Sequence, residues 1–278
     1  MGMTSRFLTC KGLELHVLEW GAGNAETVVM WHGLVRTGRD FDALAEQLSR
    51  RFRVLCPDTP GRGLSQWAQD PDRQYTLPFY GECAVSMLEQ LGIAKLRWVG
   101  TSMGGQLGML LAAGALKGRV SHLLLNDIGP EVPLDAGTRI VTYVSQPPVF
   151  ATVRELEQRL RTVYAPFNIK DDNAWRQMAV TSLRRTDSGQ ITLHYDPKLV
   201  AQFTSPHAKV DLWQAYDGIA CKTHLLRGAL SDVLPEALAQ RMTQRGPRCT
   251  LTVYPATGHA PALQSPEQIA EVERFLLS

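Results

Sequence analysis

The chain has 278 residues, of which 44% are apolar and 20% charged, and its 29 Lys and Arg against 27 Asp and Glu give a formal net charge of +2. That length fits one large domain, or one domain carrying a sizeable insertion, and it is ample for a buried core. The balanced charge, with arginines scattered as at Arg50, Arg51, Arg159, Arg161, Arg184 and Arg185, excludes a nucleic-acid stripe and implies no polyanionic partner.

Residues 1–11 carry neither the apolar centre nor the small-residue cleavage site of a secretory signal. The most apolar stretch, 107–116, is broken by glycine and too short to cross a bilayer. A cytoplasmic protein without a membrane span is expected. The five cysteines, Cys10, Cys56, Cys83, Cys221 and Cys249, are odd in number, widely spaced and free of CxxC pairs. They predict reduced, mostly buried thiols, with no disulfide framework and no metal site.

Along the chain, short apolar runs alternate with amphipathic stretches, the pattern of βαβ units on a mostly parallel sheet. Residues 13–20 alternate apolar and polar and predict an early strand paired with 6–10. The run TVVMW at 27–31 predicts a buried strand ending at His32-Gly33. A helix follows at 41–48, a strand at 53–57, and then the turn-forming loop Asp58-Thr59-Pro60-Gly61-Arg62-Gly63. A helix is expected at 76–91, a strand at 96–100, a helix at 103–116 and a strand at 120–127.

From 129 to about 213 the alternation stops, and amphipathic segments at 152–164, 173–183 and 197–203 predict helices. The rhythm resumes with a strand at 223–227, a helix at 235–244, a strand at 250–254 and a final helix at 266–277. These spacings predict a core formed by residues 1–129 and 214–278, interrupted by a helical cap at 130–213 that is far longer than an ordinary loop. An insertion at the carboxyl edge of a parallel sheet lies where such sheets bind ligands, so the cap is expected to roof the site.

The strongest chemical signal is Gly100-Thr101-Ser102-Met103-Gly104-Gly105, a GxSxG motif between a predicted strand and a predicted helix. The turn is too tight for a Cβ two residues either side of the serine, and it lifts the Ser102 hydroxyl above the sheet. The following helix aims its amino end at the same place, which favours negative charge there. Acyl transfer also needs two N–H donors for the oxyanion. The amide of Met103, next after the nucleophile, is one candidate. The amide of Leu34, after His32-Gly33, is the other, with His32 expected to brace its loop.

A serine needs a base. Of the seven histidines, His16, His122 and His224 fall in predicted strands, and His194 and His207 in the insertion. His259 stands in a loop between the last strand and the last helix, the final place in the order nucleophile, acid, histidine. Two aspartates compete for the acid. Asp232 follows the penultimate strand and is the expected partner of His259; Asp127, at the end of the strand 120–127, is the alternative. Asp58 is expected to cap its own loop against Arg62.

With these stretches in hand, the chain resembles the α/β-hydrolase superfamily along both halves of the core. The matching segments are His32-Gly33, residues 58–65, Gly100 to Gly105, Arg227-Gly228 with Ser231-Asp232, and Gly258-His259. It is similar to the branch of small carboxylesterases, enol-lactonases, meta-cleavage-product C–C hydrolases and cofactor-free haloperoxidase-like enzymes, with a cap after the sixth strand. The resemblance implies the same roles for Ser102, Asp232, His259 and the Leu34 and Met103 amides. Serine at the elbow separates the chain from dehalogenases and epoxide hydrolases, which need aspartate there. Lys222 replaces the family's usual proline, and Asn126-Asp127-Ile128-Gly129-Pro130 resembles one subgroup.

The expected activity is hydrolysis of a small carboxylic ester, thioester or lactone through an acyl-enzyme, with no cofactor and no metal. The same apparatus could cleave a C–C bond beside a ketone or transfer an acyl group, and a binding module could keep the fold without the reaction. Tyr143, Phe150, Phe167, Trp175 and Trp213 predict either an apolar acyl pocket or the core of the cap itself. The absence of an evident basic set in the cap disfavours phosphorylated substrates. Monomer and homodimer are both compatible with the sequence.

Overall fold

The computed structural model describes residues 2–204 and 211–278; His207 lies outside them. The elements run in chain order β1 (Thr4–Cys10), β2 (Leu13–Trp20), β3 (Thr27–Trp31), α1 (Asp42–Leu48), β4 (Arg53–Pro57), α2 (Pro71–Gln74), α3 (Leu77–Gln90), β5 (Leu96–Thr101), α4 (Met103–Ala113) and β6 (Val120–Asn126). There follow α5 (Leu134–Val144), β7 (Val149–Phe150), α6 (Val153–Val163), α7 (Asp172–Ser182), β8 (Leu183–Arg185), β9 (Ile191–Leu193), α8 (Ala201–Thr204) and α9 (Trp213–Asp217). The chain ends with β10 (Lys222–Gly228), α10 (Glu236–Gln244), β11 (Thr250–Tyr254) and α11 (Pro266–Leu276).

Eight strands form one sheet in the order β1-β2-β4-β3-β5-β6-β10-β11. The β1–β2 and β2–β4 pairs are antiparallel, and every other pair is parallel. Because the central strands are buried on both faces, successive residues feed opposite cores. Val29, Trp31, Trp98, Leu123, Leu125 and Leu225 meet α3, α4 and α10. Val28, Met30, Val99, Leu124 and Leu226 meet α1 and α11 on the other side.

The register aligns the carboxyl ends. Trp31 pairs with Gly100, Thr101 with Asn126, and Asn126 with Leu226. Each strand therefore releases its next few residues at one rim: Gly33 and Leu34 after β3, Ser102 after β5, Asp127 after β6, Ser231 after β10 and His259 after β11.

Between β6 and β10 the structure departs from an all-helical expectation. β7, β9 and β8 make a small antiparallel sheet, and α5 forms where no helix was expected. Strands of two or three residues are too short to print a periodicity. This segment has its own core of Leu156, Leu160, Trp175, Met178, Ala179 and Ile191. It is tied to the rim of the sheet by an isolated bridge between Arg62 and Tyr195. No helix of the described residues is long and apolar enough to cross a membrane.

Candidate active site

At the end of β5, Ser102 takes φ 53° and ψ −119°, a backbone state costly to any residue with a Cβ. The neighbouring glycines make the turn possible. A Cβ on Gly100 would meet the Gly104 carbonyl, and one on Gly104 would enter the Trp31 carbonyl. Trp98 donates from Nε1 to the Gly104 carbonyl at 2.9 Å and stacks on Trp31 at 5.5 Å, so the elbow rests on a rigid aromatic base.

The Ser102 hydroxyl lies 3.0 Å from His259 Nε2. The opposite ring nitrogen, Nδ1, is 2.7 Å from Oδ2 of Asp127, whose side chain is fully buried. The carboxylate is held on both oxygens. Oδ1 accepts the Gly228 amide at 2.8 Å, and Oδ2 also accepts the Ser231 hydroxyl at 2.5 Å. Asp127 itself stands at φ 57°, a left-handed state that aspartate tolerates and that aims its side chain along the rim.

This arrangement corrects the expected acid. Asp232 lies one loop away with its side chain 57% exposed, and it pairs with Arg139 of α5 at 2.6 Å instead of touching His259. The turn after β10 directs Ser231 inward and Asp232 outward. Ser231, whose hydroxyl also accepts the Leu234 amide at 3.1 Å, is the residue of that loop that reaches the carboxylate.

The loop after β3 comes close to the serine: a Cβ built on Gly33 would lie 3.6 Å from the Ser102 Cβ. Leu34 lines the cavity, and its amide has no backbone acceptor among the described residues. Met103 opens α4, so its N–H has no acceptor within the helix. Both amides are thus left without a backbone acceptor beside Ser102.

Arg62 pins this region. It is fully buried, and it donates from Nε to the Leu34 carbonyl at 2.7 Å and from Nη1 to the Tyr80 hydroxyl at 2.6 Å and the Pro60 carbonyl at 2.8 Å. Asp58 does not pair with Arg62, contrary to expectation. Its carboxylate takes the amides of Gly38 at 2.7 Å and Leu64 at 3.0 Å, and His16 Nδ1 at 2.8 Å. Burial opposes that charge, yet these donors hold Asp58 below the ordinary carboxylate range. His32 accepts the Thr59 amide on Nε2 at 2.9 Å and pairs through Nδ1 with the Gly33 carbonyl at 2.6 Å. Burial outweighs the nearby Asp58 and pulls the His32 pKa down to about 4, so it is neutral and braces the loop.

Above the serine lies a cavity of about 700 Å³, of the size that holds small-molecule ligands. Tyr143, Phe150 and Phe167 line it, together with Ile140, Tyr164 and Tyr195. Trp175 is spent on the core of the insertion, and Trp213 packs against the sheet cluster with Arg245 over its ring. Sequence reasoning missed the arginines that reach this lining, Arg36, Arg139 and Arg159. Arg139 rides on the helix that was not foreseen, and Arg159 was read as scattered surface charge. Among the described residues no cluster of His, Cys, Asp and Glu could hold a metal ion.

Comparison with known proteins decides the family. The sequence matches the alpha/beta hydrolase family over residues 28–272. The chain belongs to the alpha/beta hydrolase family. It is 39% identical to a 3-hydroxybutyrate-oligomer hydrolase of Cupriavidus necator, over 92% of this chain and 90% of that one. It is 28% identical to a pimeloyl-(acyl-carrier protein) methyl ester esterase of Nitrosomonas europaea, over 88% and 93% of the two chains. Among solved structures, an alpha/beta hydrolase from Novosphingobium aromaticivorans superposes with a TM-score of 0.89 at 36% identity, covering 99% and 98% of the two chains.

Proposed function

We propose that this alpha/beta hydrolase cleaves small carboxylic esters through an acyl-enzyme on Ser102, with His259 as base and Asp127 as the acid that orients it. The observation that carries the reading is the continuous line from Ser102 Oγ through His259 to the buried Asp127, at 3.0 and 2.7 Å. His259 takes the Ser102 proton as the hydroxyl attacks the ester carbonyl. The oxyanion receives the Leu34 and Met103 amides, at the amino end of α4.

The protonated imidazole then gives its proton to the departing alcohol. Water enters, loses a proton to the same ring and releases the acid. Asp127, held by Gly228 and Ser231, fixes the ring tautomer and supports the transient imidazolium. Residues 130–213 act as the cap that covers the site and excludes bulk water.

Esters of hydroxyalkanoic acids are the substrate class we favour, because the relative at 39% identity is named for 3-hydroxybutyrate oligomers and the cavity mixes apolar and tyrosine side chains. The test is hydrolysis of p-nitrophenyl esters of increasing chain length and of the linear 3-hydroxybutyrate dimer, in the wild type and in Ser102→Ala. The wild type should turn over both and the variant neither. Full turnover by Ser102→Ala would remove the mechanism.

A further inference from the structure

The charges lining the cavity do not cancel. Asp40 is taken by Arg36 through a paired contact, with Nη2–Oδ1 at 2.5 Å and Nε–Oδ2 at 2.9 Å. Arg36 is further fixed by the Ser182 hydroxyl at 2.8 Å and lies over the Tyr164 ring. Burial works against the Arg36 charge, but Asp40 and Tyr164 outweigh it and raise its pKa, so this pair is permanent framework. Asp232 is taken by Arg139 at 2.6 Å, with both side chains more than half exposed. Arg159 has no carboxylate partner among the described residues, although it lines the same cavity. The lining therefore holds one cation more than its own anions.

Arg159 is exposed, yet it also lines the cavity, from the side of α6 that carries Leu156 and Leu160. Leu156, Arg159, Leu160 and Val163 all line the cavity and share one helical stripe, at the spacing that puts residues three, four and seven apart together. Of the other cations of α6, Arg161 binds Glu157 and Asp172, and Arg154 does not line the cavity. An exposed guanidinium without a carboxylate partner, beside leucine and valine at the wall of a ligand cavity, is suited to a planar anion.

We propose that the cavity reads a free carboxylate at the far end of its ester substrate, through Arg159, with the apolar stripe of α6 taking the aliphatic chain between. Arg139 completes the grip by exchanging Asp232 for the substrate. An exposed ion pair of that kind is worth little and is readily traded. The substrate class is thus an anionic ester, either a hydroxyacid ester whose carboxylate leaves with the alcohol or a half-ester of a dicarboxylic acid. The inference rests on the ester-hydrolase reading and narrows its substrate.

Two arms test it. In the first, the non-hydrolysable ether 3-butoxybutanoate and its neutral amide are bound to the wild type by calorimetry, with no turnover needed. The acid should bind about 10-fold more tightly than the amide. That preference should collapse in Arg159→Gln, reverse in Arg159→Glu, return in part in Arg159→Lys, and shrink with added salt.

In the second, kcat/KM is compared for 3-(butanoyloxy)butanoate against its amide, and for monomethyl glutarate against its amide. The pair with the larger acid preference tells which half of the ester carries the carboxylate. Equal binding of acid and amide, or a preference that survives in Arg159→Gln, overturns the proposal. Loss of the underlying ester-hydrolase reading shows separately, as failure of a fluorophosphonate to label Ser102.

Discussion

Asp127 carries three partners on two oxygens, the Gly228 amide, the Ser231 hydroxyl and His259 Nδ1, which fix its carboxylate against the ring. Asp127→Asn keeps the shape but presents an amide to the ring, favouring the wrong tautomer, and should lower kcat by roughly 10³- to 10⁴-fold. Measured on p-nitrophenyl butyrate, Asp232→Asn should cost less than about 10-fold. Ser231→Ala removes the 2.5 Å hydroxyl bond and should lower kcat about 10-fold with little change in KM. A loss confined to KM would show that Ser231 serves binding instead.

The two aspartates were separable in the sequence only by what side-chain direction decides. Both follow neighbouring parallel strands at the same rim. A left-handed backbone at Asp127 and the inward turn of Ser231 choose between them, and neither leaves a periodic trace.

At the scale of elements, the strands and the elbow were legible because their signals are local. TVVMW at 27–31 and the shorter runs at 98–100 and 123–125 are apolar without alternation, as a sheet covered on both faces demands. GTSMGG combines a turn requirement with a helix start. The serine, the histidine and the loop with Leu34 could thus be located, while the short β7, β8 and β9 and the placement of Arg36, Arg139 and Arg159 could not. Those depend on packing between distant segments.

The glycines of the elbow give a graded prediction. Gly104→Ala drives a Cβ into the Trp31 backbone, which no rotamer relieves, and should lower Tm sharply or prevent folding. Gly105→Ala meets the Ile128 Cγ2 methyl at 2.5 Å and the Gly100 carbonyl at 3.0 Å, a less severe approach than that to the Trp31 carbonyl, and should be the milder of the two by thermal unfolding. Arg62 joins the loop after β4 to the one after β3. Arg62→Met should cost about 2–4 kcal/mol by leaving buried acceptors unpaired, and should lower kcat more than KM through the freed Leu34 carbonyl. Arg62→Lys should not restore both contacts, because a lysine lacks the forked geometry.

For the whole molecule, the buried network of histidines and carboxylates behind the site sets how stability depends on pH. His32 falls from an ordinary 6.5 to about 4 on folding, so between those values the unfolded chain binds the proton that the folded one refuses. Its contribution is complete above about pH 6.5 and is lost as the pH falls toward 4, on the order of 3 kcal/mol in all. Asp58, lowered below the carboxylate range, loses its contribution only at more acid pH. Chemical denaturation from pH 8 to 4 should show the decline in the wild type, and a flatter profile in His32→Gln over the same window. Equal slopes would place the effect elsewhere.

The account turns on a hydroxyl activated across the rim of the sheet by a ring that Asp127 holds. The most direct measurement is the rate at which a fluorophosphonate labels the Ser102 peptide, followed by mass spectrometry in the wild type, Asp127→Asn and Asp232→Asn. Labelling should slow by about 10³-fold or more in Asp127→Asn and by no more than a few-fold in Asp232→Asn. Fast labelling of Asp127→Asn alongside slow labelling of Asp232→Asn would contradict it.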